Sequence, residues 1–260
     1  MDCRCKYLSY LIAITGKGGV GKTTISSLFV KQLIENKRSP VLAIDADPNS
    51  CLDAALGVQA KKTVGSAREE VRQEVQSGLE GVSKQELLQL KISESLVESC
   101  GFDLIAMGRP EGAGCYCYAN NILKSVIVKL SEQYPYVVLD NEAGLENLSR
   151  RIVQKVNLLV LVSDASNSGM ETLKRLYSLA SEMGLNYDKL LIVVNRLRNG
   201  RMPDKINEVK EFTKADFVLG LPDDEEIATL AETNESIFRI NNENKVNLMI
   251  NQFIIDNVKK

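Results

Sequence analysis

Gly16-Lys17-Gly18-Gly19-Val20-Gly21-Lys22-Thr23-Thr24 is the stretch that decides the fold of this chain. It matches the phosphate-binding pattern G-x-x-x-x-G-K-[ST]. The apolar run before it (Leu8, Tyr10, Leu11, Ile12, Ala13, Ile14) reads as a buried strand. After it, Ile25, Leu28, Phe29 and Leu33 recur on one helical face. Strand, glycine-rich loop and helix therefore come in the order that brings backbone N–H groups and a helix N-terminus to one point. Such a point suits a polyphosphate. Lys22 is placed to reach the β and γ phosphates, and the Thr23 hydroxyl to ligate Mg²⁺. A glycine-rich turn matching by accident would lack the flanking strand and helix.

The rest of the chain reads as one α/β domain spanning residues 1–260: a mostly parallel twisted sheet with helices on both faces. Short aliphatic, β-branched segments mark strands at Tyr7 to Ile14, Val41 to Ile44, Asp103 to Met107, Tyr136 to Leu139, Leu158 to Val162, Leu190 to Val194 and Phe217 to Leu221. Helical patterns lie between most of them, among them Ala119 to Gln133, Gly169 to Met183 and Asp204 to Phe212. The polar region Lys61 to Ser99 reads as surface helices. The apolar positions from Val246 to Ile254 read as a last helix docked on the core.

Charge and composition exclude several classes. The net charge is −2 with both signs interspersed, which argues against a nucleic-acid binder. No run of about 20 apolar residues exists to span a membrane. The apolar stretch at the start leads straight into the loop, so a cleaved signal is not expected, and the expected compartment is the cytoplasm. The chain has no histidine. No Ser-His or Cys-His nucleophile pair can form, and a soft metal would have to be held by thiolate.

The form K-G-G-V-G-K-T-T, with Lys17 ahead of the usual lysine, resembles the deviant Walker A class of P-loop ATPases. That class includes the nitrogenase iron protein and the ParA and MinD partitioning ATPases. The resemblance implies ATP hydrolysis by an ATP-dependent homodimer, in which Lys17 touches the nucleotide of the other subunit, as an arginine finger does. Asp45-Ala46-Asp47-Pro48 closes the second strand, where carboxylates face a nucleotide crevice. By resemblance Asp47 positions the attacking water and Asp45 supports Mg²⁺ through its water shell; a plain D-P turn is the alternative. Val137-Val138-Leu139-Asp140 has the Walker B form, with Asn141 to Gly144 following as a switch. Asn195 and Pro222, each after a strand, lie by resemblance near the adenine ring.

Gly114-Cys115-Tyr116-Cys117 is the second informative segment. Two thiols two residues apart supply half of a four-coordinate set, and a two-fold dimer would supply the rest. A pair of inert buried thiols is the alternative reading. The thiols alone do not choose between Ni²⁺ and Zn²⁺. Cys3 and Cys5 read as a ragged end, Cys51 as core or switch packing, and Cys100 as structural.

The run from Met107 to Cys117, with Asp140-Asn141-Glu142-Ala143-Gly144-Leu145-Glu146, resembles CooC-type ATPases, in particular the AcsF-like branch linked to acetyl-CoA synthase. The resemblance implies an ATP-dependent metallochaperone. A Ni²⁺ ion would be bound between subunits by Cys115 and Cys117, and ATP hydrolysis coupled to its insertion into acetyl-CoA synthase or carbon monoxide dehydrogenase. Asn147 stands where many members carry histidine. Two rivals are kept: an iron–sulfur electron carrier like the nitrogenase iron protein, and a ParA/MinD-like partitioning ATPase.

Overall fold

A computed structural model of the chain describes residues 9–49, 51–76, 83–108, 128, 130–144 and 155–258. The strands are β1 (Tyr10–Gly16), β2 (Val41–Asp45), β3 (Val97–Glu98), β4 (Phe102–Ala106), β5 (Tyr136–Ala143), β6 (Val156–Asp164), β7 (Tyr187–Leu197) and β8 (Phe217–Pro222). They form one sheet in the order β3-β4-β2-β5-β1-β6-β7-β8. Every pairing is parallel except β3 with β4. After β1 the chain moves out to β2, then later fills in β5 and continues on the other side with β6. The order reverses at β1, and the carboxyl ends on either side of such a reversal leave a crevice for ligands.

Side chains alternate along each strand and so build two cores. On one face Ile12, Ile14, Val138 and Val160 pack under α1 (Lys22–Glu35), α2 (Leu52–Leu56) and the last helix, with Phe29 and Leu33 of α1 fully buried. On the other, Leu11, Ala13, Val137 and Leu159 pack under α3 (Val64–Gln76), α4 (Lys84–Ser93), α5 (Asn167–Glu182) and α6 (Ile206–Thr213). Burying a side chain such as Phe29 is worth roughly 1.5–3 kcal/mol. Two further helices follow β8: α7 (Glu225–Glu232) and α8 (Lys245–Asn257).

All seven expected strands are present, and most are longer than the aliphatic run that marks them. β5 continues past Leu139 through Ala143, so Asp140 lies inside the strand and Asn141 to Ala143 are strand rather than switch loop. Aliphatic composition marks only the part of a strand buried on both faces; polar ends go unmarked. β3 has two residues and carries no such signal.

The region 61–99 holds the expected helices, each docked on the sheet by one buried face. Val64, Ala67 and Val71 of α3 and Leu88 and Ile92 of α4 are buried in the second core. Charged residues dominate these helices, but one buried face suffices to dock each. The expected helix from Ala119 to Gln133 falls largely outside the described residues. α8 docks as expected: Val246, Ile250, Phe253 and Ile254 are buried against the first core. Arg38 locks its end by donating to Ile254 O (2.8 Å) and Val258 O (2.9 Å).

Candidate nucleotide site

β1 ends at Gly16, beside β6. A Cβ on Gly16 would lie 2.2 Å from Val162 O, so no larger residue fits. Gly21 then caps α1 with φ 91° and contributes no side-chain hydrogen bond. That left-handed turn suits glycine. It leaves the first N–H groups of α1 without a side-chain cap, facing the loop. The carbonyls of the loop are held from outside. Lys22, only 8 % exposed, folds back so that Nζ donates to Lys17 O (3.3 Å). Asn195 Nδ2 donates to Val20 O (2.9 Å), and the Arg196 guanidinium to Gly19 O (3.1 Å). Lys17 is exposed.

Three strand ends bring carboxylates to the same edge. Asp45 and Asp140 are register partners on β2 and β5. Both are fully buried, at 0 % and 1 % exposure. Burial pushes Asp45 up to about 6, against the pull of backbone N–H groups from Leu52, Asp47 and Cys51. The Asp47 and Leu52 bonds are each 3.0 Å. Burial pushes Asp140 further, to about 7, opposed by hydrogen bonds from Thr23 and Ser26 and by the Lys22 charge. Ser26 Oγ donates to Asp140 Oδ1 at 3.0 Å. Asp47 is half-buried and shapes the next turn, its Oδ1 accepting from Asn49 N (2.8 Å) and Nδ2 (3.1 Å). At the end of β6, Asp164 is held below the usual carboxylate range, first by the Ser166 hydroxyl, with Lys17 and Arg196 adding positive charge.

The end of β5 is tied to the loop as well. Gly144 N donates to Gly16 O (3.2 Å), and the Thr15 hydroxyl donates to Gly144 O. Asn141 Nδ2 donates to Ile14 O (3.0 Å). Beside Thr23 and Thr24 opens a cleft of about 350 Å³, walled by Ser27, Cys51, Ile227 and Leu230. Pro222 ends β8 opposite Leu197 of β7.

Comparison with known proteins fixes the family. Residues 11–237 match the model of the CobQ/CobB/MinD/ParA nucleotide-binding domain. The chain belongs to that family. It is similar to an uncharacterised ATP-binding protein of Methanocaldococcus jannaschii, 45 % identical over 190 residues, covering 72 % of this chain and 75 % of the relative. It is also similar to the carbon monoxide dehydrogenase accessory protein CooC of Rhodospirillum rubrum, 31 % identical over 186 residues, covering 67 % and 70 %. Among solved structures, the septum site-determining protein MinD of Pyrococcus horikoshii complexed with Mg-ADP superposes with a TM-score of 0.66. It is 18 % identical, and the match covers 97 % of each chain.

This ATPase therefore has the α/β fold and the nucleotide-binding domain of its family, and the MinD structure it resembles holds Mg-ADP. The donor set suits the ion. The Thr23 hydroxyl and the Asp140 carboxyl are hard oxygens in contact, and burial leaves the charged form of Asp140 short of counter-charge. Mg²⁺ is bound by one or two carboxylates plus phosphates and water rather than by a protein cage. Consistently, no three His, Cys, Asp or Glu side chains among the described residues converge on one point.

Of the expected site residues, the structure gathers Gly16 to Thr24, Asp45, Asp140 and Asn195 at one edge. Cys115 and Cys117 lie outside the described residues, as do Cys3 and Cys5. Cys51 is exposed on the cleft wall rather than in the core, and Cys100 is also exposed. Three contributors went unread in the sequence: Ser26, Asp164 and Arg196. Ser26 sits three residues after Thr23, one helical turn on, and that spacing is the signal that puts both hydroxyls on one face. No helix among the described residues is long and apolar enough to cross a membrane.

Proposed function

We propose that this ATPase is a metallochaperone of the CooC type, loading Ni²⁺ into acetyl-CoA synthase or carbon monoxide dehydrogenase. The observation that carries the reading is the Cys115-Tyr116-Cys117 pair in a chain related to CooC. With no histidine available, the cargo ion would be held by thiolates. One C-x-C gives two ligands, so two copies would share one ion, and Zn²⁺ competes for the same geometry.

The ATP half of the reading draws support from the glycine loop and the carboxylates at the strand ends. N–H groups from Gly18 to Thr24 cradle the β and γ phosphates, and Lys22 leaves Lys17 O to pair with them. Thr23 would hold Mg²⁺ and Asp140 would orient it, with Asp45 behind; an ion bound there would supply positive charge beside the phosphates. Asp47 orients the attacking water, and Lys17 of a second copy completes the charge offset. Pro222 flanks the base. Because the end of β5 is tied to Gly16, a change at the phosphates reaches residues 141–144 directly. Nucleotide state would thereby bias two dimer geometries that differ in affinity for the cargo ion.

A ParA/MinD-like partitioning role needs a DNA or membrane surface. The net charge of −2 and the burial of the apolar side of α8 weigh against it. The test is a Cys115→Ser/Cys117→Ser variant. Metal per dimer should fall from one to none while ATP binding persists, and stoichiometric metal in the variant rejects the proposal. A brown, cluster-absorbing protein from oxygen-free preparation would instead favour the electron-carrier reading.

A further inference from the structure

Thr15 and Asn141 face one another where β1 and β5 end. Thr15 continues the row of Leu11 and Ala13, and Asn141 the row of Val137 and Leu139, so both stand on the side of the second core. They are 0 % and 2 % exposed. The pairing of the two strands slips at this point. Ile14 is opposite Asp140 and Gly16 opposite Ala143, so two steps along β1 answer three along β5. Such a bulge interrupts the ladder and leaves backbone groups for side chains to satisfy. The Asn141 amide does this with one of its atoms: Nδ2 donates to Ile14 O (3.0 Å). The other, Oδ1, is buried with no hydrogen bond among the described residues. Across from it the Thr15 hydroxyl donates to Gly144 O.

One proton therefore stands between two acceptors, since a hydroxyl has a single O–H and rotates to suit its surroundings. The acceptor it serves lies on a half-buried glycine, which water reaches after a small move; the one it leaves lies in the interior, beyond water. The served residue is also free to turn. Gly144 has φ 95° and no atom within 4 Å of where a Cβ would be. We propose that Thr15 is a two-position hydrogen-bond switch for the end of β5. In the position described, its hydroxyl holds Gly144 O. In the other it turns to Asn141 Oδ1 and lets the Gly144 carbonyl go to solvent. Thr15 touches no phosphate and is a positioning residue. This rests on the ATP half of the proposed function and gives its coupling a named part. The third phosphate would lie toward β5, where Asp140 and the Mg²⁺ it orients belong, and Gly144 N donates to Gly16 O (3.2 Å) at the root of the loop. A triphosphate therefore selects the second position and a diphosphate does not. By linkage, whatever destabilises the second position weakens the triphosphate alone.

The test has two arms, both on the full chain in Mg²⁺. The first follows the Asn141 side-chain carbonyl carbon by NMR, assigned from its loss in Asn141→Leu or Asn141→Ser. Accepting a hydrogen bond moves that carbon downfield. A non-hydrolysable ATP analogue should move it in wild type and in Thr15→Ser, which keeps the hydroxyl, and ADP should not. In Thr15→Val, which keeps the shape without the proton, it should stay still. The second arm displaces a fluorescent ADP analogue by ADP and by the same ATP analogue. Asn141→Leu removes the second acceptor, so the ATP analogue should weaken by about tenfold, the effect of one buried carbonyl losing its donor, with ADP unchanged. Equal losses for both nucleotides would make Asn141 a structural residue and overturn the switch, as would a carbon that moves as far in Thr15→Val as in wild type. The wild-type spectrum needs no substitution to be stable, and a carbon unmoved at saturating ATP analogue overturns the switch alone. If wild type binds neither nucleotide, the ATP reading fails and the switch with it.

Discussion

The two edges of the sheet are built from the same strands but to different ends. At the amino edge, Tyr10 of β1 and Tyr136 of β5 are register partners with ring centroids 6.2 Å apart. Beside them the Tyr134 hydroxyl donates to Asp103 (2.5 Å) and Leu11 N donates to Asn157 (2.8 Å). Polar groups there are neutral at pH 7 or closely paired. At the carboxyl edge, four residues further along β1, the same register ladder reaches two buried carboxylates facing each other, with loop N–H groups left open. One edge holds the strands together; the other keeps charge and donors in reserve for a ligand. Within the carboxyl edge the contrast repeats. Asp45 is bound by backbone N–H groups and is committed to its turn. Asp140 is bound by two hydroxyls of α1, which can rotate to other partners.

The largest expected effect breaks the carboxyl edge at Asp140. Asp140→Asn should cut ATP hydrolysis by about 100-fold or more, the scale of a lost charge stabiliser. It should leave the nucleotide-free melting temperature equal or higher, because a buried charge has been removed. A fall of several degrees, or a rate within tenfold of wild type, would place Asp140 among the structural residues. Asp45→Ala should do the reverse to stability. It strands backbone donors at the start of α2 at a cost of about 2–3 kcal/mol, which calorimetry would read as a drop of roughly 4–10 °C.

Ser26→Ala sharpens the comparison at smaller scale. It removes one of the two hydroxyls on Asp140 for about 1 kcal/mol, and the Mg²⁺ concentration giving half-maximal hydrolysis should change by a few-fold. The smallest effect belongs to the amino edge. Burial above all, with Asp188 adding to it, pushes Tyr10 up to about 12 from 10.0. The raised value means the neutral phenol is favoured in the folded state. Its contribution is whole below pH 10 and lost as pH rises through about 12. Tyr10→Phe should therefore gain on wild type in urea midpoint between pH 8 and pH 10.5. An unchanged gap across that range would show that the phenol is hydrated.

Much of this was legible because it is local. Strand, glycine loop and helix around Gly16 to Thr24 are consecutive, and the aliphatic cores of β2 and β5 to β8 announce themselves one segment at a time. The meeting of β7 with the loop was not legible. Asn195 was placed near the base by resemblance and Arg196 went unread; only tertiary structure carries both beside the loop, and no pattern within either segment encodes the contact. Ser26 went unread because its partner lies 114 positions away. The cores of α3 and α4 were masked by their charge, since a few buried positions per helix are outvoted in composition by the solvated face. The ends of β5 and β7 were missed for the opposite reason: their polar residues are held by the ladder rather than by burial.

β3 is the shortest strand of the sheet, and it has an effect out of proportion to its length. By turning back against the outer side of β4, Val97 and Glu98 occupy the hydrogen-bonding groups with which that strand would otherwise recruit a neighbour. Fibril-like growth from that flank is thereby closed off. Molecules that meet at that flank do so through loops and side chains, where contact can be made and broken, and not by fusing their sheets.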